Sequence, residues 1–310
     1  KTFVCRILTS QHDANTVYAS FDNHKMADFA PYVLKSTDAG MTWNSVKGNL
    51  PVNGQVLAIA EDHINSNLLF IGTEFGLFFT IDGGQKWIQL KGGLPTIAVR
   101  DLAIQKSEND LVLATFGRGF YVFDDYTSLR TLKPEMLQQD AFTCSVEDAM
   151  MYVQAYPLGG SKKATQGESF YNASNPPFGA TLTYYLKDAL KSKKELRQEA
   201  EKEAEKKKQA IHYPAWDELR AEDEEEAPSI IITVTDADGK VVRKLTGANS
   251  KGLNRVNWDL RYPLPMLAPP PPPGSDEEPD AGPLVMPGKY TVTLAKRVSG
   301  VLAQLGDAQS

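Results

Sequence analysis

The chain has 310 residues, a formal net charge of −6 and an apolar fraction of 42%, which is the composition of an ordinary globular protein with room for two domains. The acidic balance excludes a phosphate-tracking nucleic-acid binder, because such a surface needs a concentrated excess of Lys and Arg. No stretch is apolar enough for a membrane-spanning helix, and no signal-peptide pattern precedes the strand-like run Phe3, Val4, Ile7 and Leu8. Cys5 and Cys144 are too few for a disulfide framework or a cysteine zinc site, and both read as small buried apolar residues.

A repeat dominates the first half. Ser36-Thr37-Asp38-Ala39-Gly40-Met41-Thr42-Trp43 and Thr80-Ile81-Asp82-Gly83-Gly84-Gln85-Lys86-Trp87 share the pattern S/T-x-D-x-G-x-x-W, and their spacing matches one four-stranded propeller blade. Strand-like runs recur around them at 15–20, 67–72 and 110–115, each after a polar turn. Three blade-like units are visible, and in the third the motif has decayed to Asp124-Asp125-Tyr126. The motif has a mechanical purpose: Asp bonds the turn backbone, Gly supplies a conformation that other residues resist, and Trp covers the hairpin. Ser36, Asp38, Gly40 and Trp43, with Thr80, Asp82, Gly84 and Trp87, are therefore expected to be structural. Neither Asp38 nor Asp82 has the clustered oxygen ligands that calcium requires. Closed propellers need about four to eight blades, so the remaining blades are expected from sequence outside these residues or from another chain.

From residue 142 the pattern changes to separated strands at 180–186, 230–235, 241–245, 254–260 and 289–294, a spacing that suggests an immunoglobulin-like sandwich lacking one further strand after the last. Residues 187–226 form a charged insertion. Its first part, 187–209, is rich in Lys, Glu and Ala and reads as a solvated helix without a coiled-coil seam. The run Pro269–Pro273 reads as part of a stiff Pro-rich loop over 263–283. The fold expected is all-β: the last blades of a propeller over 1–135, then a sandwich over 136–310.

These residues resemble a group of bacterial proteins, many labelled glycosyl hydrolases, in which a sortilin-like or sialidase-like propeller of Asp-box (BNR) repeats precedes an immunoglobulin-like domain. The resemblance rests on the two boxes, on 72–77, on Leu94-Pro95 with 99–102, on Gly117-Arg118-Gly119 leading to Asp124-Asp125, on 175–180, and on 252–261 with 287–290. It covers nearly the whole chain apart from the charged insertion. It implies an exported protein, periplasmic, surface-bound or secreted, that acts on or binds carbohydrate, with a non-catalytic receptor for peptide or glycan as the alternative.

A glycosidase would ordinarily place two carboxylates about the scissile bond, and Glu74, Asp101 and Asp124 are the carboxylates of the matched stretches. Arg100 and Arg118 are the candidates to grip an anionic sugar through guanidinium forks. The competing reading is that Arg100, Asp101, Arg118 and Asp124 tie neighbouring blades together as ion pairs. The four histidines have no ligand spacing, and neither a phosphate loop nor a Gly-x-Ser-x-Gly elbow occurs. No metal or cofactor is expected; a glycan or protein ligand is.

Overall fold

A computed structural model of the chain describes residues 2–153, 173–264 and 281–310. They are predominantly β and form several antiparallel sheets. The chain divides into two compact units, 1–136 and 137–310.

In unit one, β1 (Phe3–Thr9), β2 (Val17–Asn23), β3 (Asp28–Ser36) and β4 (Asn44–Ser45) make a first four-stranded sheet in chain order. A second follows with β5 (Val56–Glu61), β6 (Leu69–Thr73), β7 (Gly76–Thr80) and β8 (Ile88–Leu90). A third comprises β9 (Val99–Gln105), β10 (Asp110–Thr115) and β11 (Phe120–Phe123). The three sheets are meanders, so their order follows directly from hairpin connections.

The second sheet is apolar on both sides. Every residue of β6 and β7 is buried, which is possible only when both faces of a sheet are covered. On one face Ile59, Ile71, Phe78 and Trp87 share a core with Tyr18 and Val33 of the first sheet. On the other, Phe70 and Phe79 are buried, and the Phe70 ring meets Tyr126 edge-on at 5.1 Å. Gly72 lets the third sheet come close, since a Cβ there would sit 2.5 Å from the Val99 carbonyl oxygen and 3.0 Å from Val99 Cβ.

The two S/T-x-D-x-G-x-x-W segments form the turns after β3 and β7. In the first, Asp38 Oδ1 accepts from Ser36 Oγ at 2.7 Å and from the Thr42 amide at 2.8 Å, and Thr42 Oγ1 donates to Asp38 Oδ2 at 2.6 Å. The Thr42 hydroxyl and amide, helped by Ser36, hold the Asp38 carboxyl down at about 2. In the second, Asp82 Oδ1 accepts from Thr80 Oγ1 at 2.6 Å and from the amides of Gln85 and Lys86 at 2.9 and 3.0 Å. Burial raises the Asp82 carboxyl, but these bonds outweigh it and leave it below its ordinary value. Gly40 at φ 91° and Gly84 at φ 100° take up the left-handed backbone that the turns need. The tryptophans differ: Trp87 is 3% exposed and Trp43 39%. Trp87 Nε1 donates to the Val46 carbonyl at 2.9 Å, and Asn49 brackets the Trp87 backbone with bonds of 2.5 and 3.1 Å. The second turn is thus clasped by the chain leaving the first sheet.

Unit two contains β12 (Ala141–Thr143), β13 (Ala180–Leu186), α1 (Lys193–Lys206), α2 (Trp216–Asp223), β14 (Ser229–Thr235), β15 (Val241–Gly247), β16 (Gly252–Trp258), β17 (Thr291–Val298) and β18 (Val301–Gln309). Its sheets, β12-β13-β16 and β15-β14-β17-β18, enclose one core of Leu182, Tyr184 and Trp258 from the first with Ile230, Ile232, Val234 and Leu294 from the second. The final strand corrects the expectation of a sandwich one strand short. Ser299 and Gly300 turn the chain at positive φ, and β18 pairs along β17 although it buries no side chain. Ladder bonds hold it, with Leu305 half-buried against the core of unit two. Neither helix buries a residue either; Ser192 and Glu195 cap α1 reciprocally, and Arg197 forks onto Glu222 at 2.7 and 2.8 Å. The expected proline run 269–273 lies outside the described residues. Cys5 and Cys144 are free thiols, and burial pushes Cys144 up to about 12.

Gly72→Ala should lower the stability of unit one by about 1–3 kcal/mol, the cost of overpacking a closed contact. Thermal unfolding followed by near-ultraviolet circular dichroism checks this; an unshifted transition would mean that the sheets can separate freely.

Candidate functional site

In a meander the turns alternate between two ends of a sheet. One end of unit one therefore carries the turns β2–β3, β6–β7 and β10–β11, together with the connections that enter β5 and β9. The other carries the turns β1–β2, β5–β6 and β9–β10 and the two Asp turns.

The first end presents aromatic and charged side chains on tightly held backbone. Phe75, 45% exposed, is fixed by its amide on Thr73 Oγ1 at 3.2 Å and by Gln89 Nε2 donating to its carbonyl at 3.3 Å. Its ring lies over Gly54, where a Cβ would be 3.3 Å away. The Glu74 amide bonds the Gln55 carbonyl at 3.2 Å, and its side chain is half-buried. A cleft of about 220 Å³ opens beside them, lined by Phe75, Gln89, Lys91, Leu94 and Pro95 among others. In the next turn the Arg100 guanidinium stands 5.3 Å from the centre of the Phe116 ring, a cation–π contact. Phe116 is 68% exposed and its amide bonds the Ala98 carbonyl at 2.9 Å. Arg118 is exposed between Gly117 and Gly119, both at positive φ, in a turn closed by Thr115 Oγ1 on the Gly119 carbonyl at 2.7 Å. The first sheet adds Met26 and Phe29 at this end, 63% and 47% exposed.

Glu74, Arg100 and Arg118 thus share one end. Asp101 lies one residue into β9 from Arg100 and is paired with Arg6 of β1, an ion pair between the first and third sheets. Asp124 follows β11 at the opposite end, next to the Asp125 amide that bonds Asp110 Oδ1 at 2.9 Å. A strand of four to six residues at about 3.3 Å per residue separates it from the Glu74 end by roughly 13–20 Å, whereas glycosidase carboxylates stand about 5–9.5 Å apart. Glu74 and Asp124 do not flank one bond. Among the described residues no cluster of three or more His, Cys, Asp or Glu could hold a metal ion.

The opposite end holds a polar network that the motifs did not reveal. Asp62 is fully buried and accepts from Arg130 Nη2 at 2.8 Å, Arg130 Nε at 3.0 Å, the Tyr126 hydroxyl at 2.7 Å and the Asn65 amide at 2.7 Å. Arg130 Nη2 also donates to Asn109 Oδ1 at 2.7 Å, and His12 Nε2 bonds the Asp62 carbonyl at 2.7 Å. Its neighbour Glu61, 2% exposed, accepts from Ser10 Oγ at 2.9 Å, the Gln11 amide at 2.8 Å and the Tyr18 hydroxyl at 3.3 Å. All three sheets are tied here. Burial raises the Asp62 carboxyl, yet bonds from Arg130, Tyr126 and Asn65 bring it below its ordinary value. Burial, then the Arg130 charge, lowers His63 beneath 6.5. The one sequence signal was the recurrence of Asn15, Asn67 and Asn109 in the three equivalent turns; Arg130 lies beyond the last strand and carries no motif.

No protein-family model matches the chain, and no curated protein matches it. Among solved structures, an ancestral GH74 enzyme is 28% identical, with 37% of this chain and 14% of that one covered and a TM-score of 0.32. The GH74 xyloglucanase from Xanthomonas campestris is 13% identical, with 38% and 20% covered and a TM-score of 0.30. PorZ, a surface component of the type-IX secretion system of Porphyromonas gingivalis, is 14% identical, with 99% and 38% covered and a TM-score of 0.31. These neighbours are β-propeller proteins, and this chain spans 14% to 38% of their lengths.

Two titrations should make unit one acid-labile. His63 is depressed when folded, so as pH falls through 6.5 the unfolded chain takes up its proton first and stability declines. The Asp62 contribution, complete above the ordinary carboxylate value, is lost as pH falls further through the folded one. His63→Gln should abolish the decline near pH 6 only, and Asp62→Asn should cost about 3–5 kcal/mol at neutral pH; denaturant titrations from about pH 7.5 to about pH 2 check both, and a flat profile in the wild type would refute the assignment.

Proposed function

We propose that the three sheets of unit one are consecutive blades of an Asp-box β-propeller in an exported, carbohydrate-active protein, and that unit two is an immunoglobulin-like sandwich attached to it. The end carrying Glu74, Phe75, Arg100, Phe116 and Arg118 is the ligand face, and its ligand is a glycan that it binds without cutting. The observation that carries this reading is the row of exposed aromatic rings on successive turns, one of them stacked under a guanidinium. Flat rings take the apolar C–H face of a sugar, while fixed polar groups at their edges take its hydroxyls. Arg100 and Arg118 select for acidic sugars by charge-assisted hydrogen bonds, and Phe75, Gln89 and Lys91 line the adjoining cleft.

Binding is favoured over hydrolysis because Asp101 is engaged by Arg6 and Asp124 stands at the far end, so neither completes a pair with Glu74. A metal is not needed for such recognition. Export follows from the family resemblance of the boxes; no helix among the described residues is long and apolar enough to cross a membrane.

On an array of neutral and acidic glycans, Phe116→Ala and Arg100→Ala should each weaken binding about tenfold, equivalent to about 1.4 kcal/mol, without moving thermal unfolding. Release of reducing sugar by the wild type that Glu74→Gln abolishes would overturn the binding-only reading.

A further inference from the structure

The charged insertion of unit two is built as an arm. Its helices α1 and α2 lie between β13 and β14, and neither buries a residue. The base is fixed: the Leu190 amide bonds the Asn249 carbonyl at 3.1 Å, and Glu226 pairs with Arg297 at 2.7 Å. Glu225 Oε2 accepts the Lys193 amide at 2.7 Å and Arg197 grips Glu222 one turn further on, so the two segments run antiparallel and residues 207–215 form the far end. There α1 is closed by Lys208 at φ 52° and by the Gln209 amide on the Ala204 carbonyl at 2.8 Å. α2 then starts with the Ala215 amide on Glu218 Oε2 at 3.0 Å.

The far end is aromatic and basic. Tyr213 is 85% and Trp216 84% exposed, the latter against 39% or less for the other three tryptophans. Ile211 precedes them, 38% exposed. Over 202–216 four lysines outnumber two glutamates, in a chain of net charge −6. Lys206 lies about 13 Å along α1 from Arg197, beyond the screening length of about 8 Å, so the acidic run 222–226 at the base does not cancel the charge of the far end. Asp217 and Glu218 sit in the first turn of α2, where the helix dipole takes up their charge. Dipole compensation also suits Lys206 at the end of α1, but it gives no reason for two rings to be left in water beside it.

Two rings offer about 300–500 Å² of apolar contact, short of the roughly 800 Å² per partner of a stable protein interface. A bilayer sets no such minimum: Trp and Tyr settle at its headgroup level, and each lysine near the surface adds attraction to anionic lipid. Consecutive lysines at the end of a helix fan out round its axis, so a groove along one side would meet one of them, whereas a plane across the end meets all. We propose that the far end of the arm docks on the anionic face of a phospholipid bilayer, Tyr213 and Trp216 entering the headgroup layer and Lys206, Lys207 and Lys208 meeting its phosphates. The arm rests on the surface and does not span it. This docking is independent of what the loop face of unit one binds.

Flotation of the whole chain with vesicles tests this, using phosphatidylcholine alone and phosphatidylcholine mixed with phosphatidylglycerol. Binding is expected to the mixed vesicles only, with a blue shift of tryptophan emission that Trp216→Phe removes. Raising the salt to about 1 M, where the screening length falls to about 3 Å, should release the chain. Replacing Lys206, Lys207 and Lys208 together by Gln should weaken binding about a hundredfold, and Trp216→Ala about tenfold. Thermal unfolding should not move in any of these variants, because every side chain replaced is exposed. Equal binding to both kinds of vesicle, binding that survives both sets of substitutions, or no binding to either overturns the proposal. If the vesicles are ignored and sedimentation shows a doubled mass that Trp216→Ala halves, the arm docks on a second copy instead.

Discussion

A sheet whose strands are apolar on both sides cannot be stable until both sides are covered, and in unit one that constraint governs everything else. β6 and β7 bury every residue, each large side chain contributing about 1.5–3 kcal/mol when withdrawn from water. Covering them requires one sheet on each face, brought close enough that only glycine fits at position 72. Stacking meanders in this way aligns their turns, so the β2–β3, β6–β7 and β10–β11 turns come together at one end without any of them having to pack a core. These turns are where side chains are free to meet a ligand.

Apolar stacking sets distance but leaves register and rotation loosely defined, and buried polar groups supply what it lacks. Asp82 fixes its own turn, and Trp87 with Asn49 clasps that turn to the chain leaving the first sheet. Asp62 and Glu61 collect donors from all three sheets at the end away from the aromatic rings. Because a buried carboxylate is costly unless its bonds are complete, this network tolerates only the native arrangement of the sheets. One end of the unit is consequently locked and the other carries open, ligand-sized features.

What could be read from the sequence follows from how local each signal is. The Asp turns were legible because Ser36 to Trp43 and Thr80 to Trp87 each contain all their own partners within eight residues. The strand at 180–186 was legible because alternating apolar residues run its full length, and the structure ends β13 at the same residues. β18 was missed because an exposed edge strand has no apolar alternation to display. The Asp62–Arg130 pair was missed because its partners stand 68 residues apart and neither belongs to the repeat. Glu74, Arg100 and Arg118 were chosen from sequence, and the turns bring them to one end; Asp124, chosen for the same reason, is carried to the other by a single strand. Parity of strands, which sequence inspection did not count, decided that.

The account therefore stands on the aromatic and basic turns acting together as a glycan-binding face. The most direct measurement is hydrogen exchange of the protein with and without an acidic oligosaccharide identified on the array. The account predicts slowed exchange confined to the turns at 73–76, 96–100 and 115–119, with the Asp62 network and unit two unchanged. Protection centred on unit two, or on the end that holds Asp62 and Asp124, would contradict it.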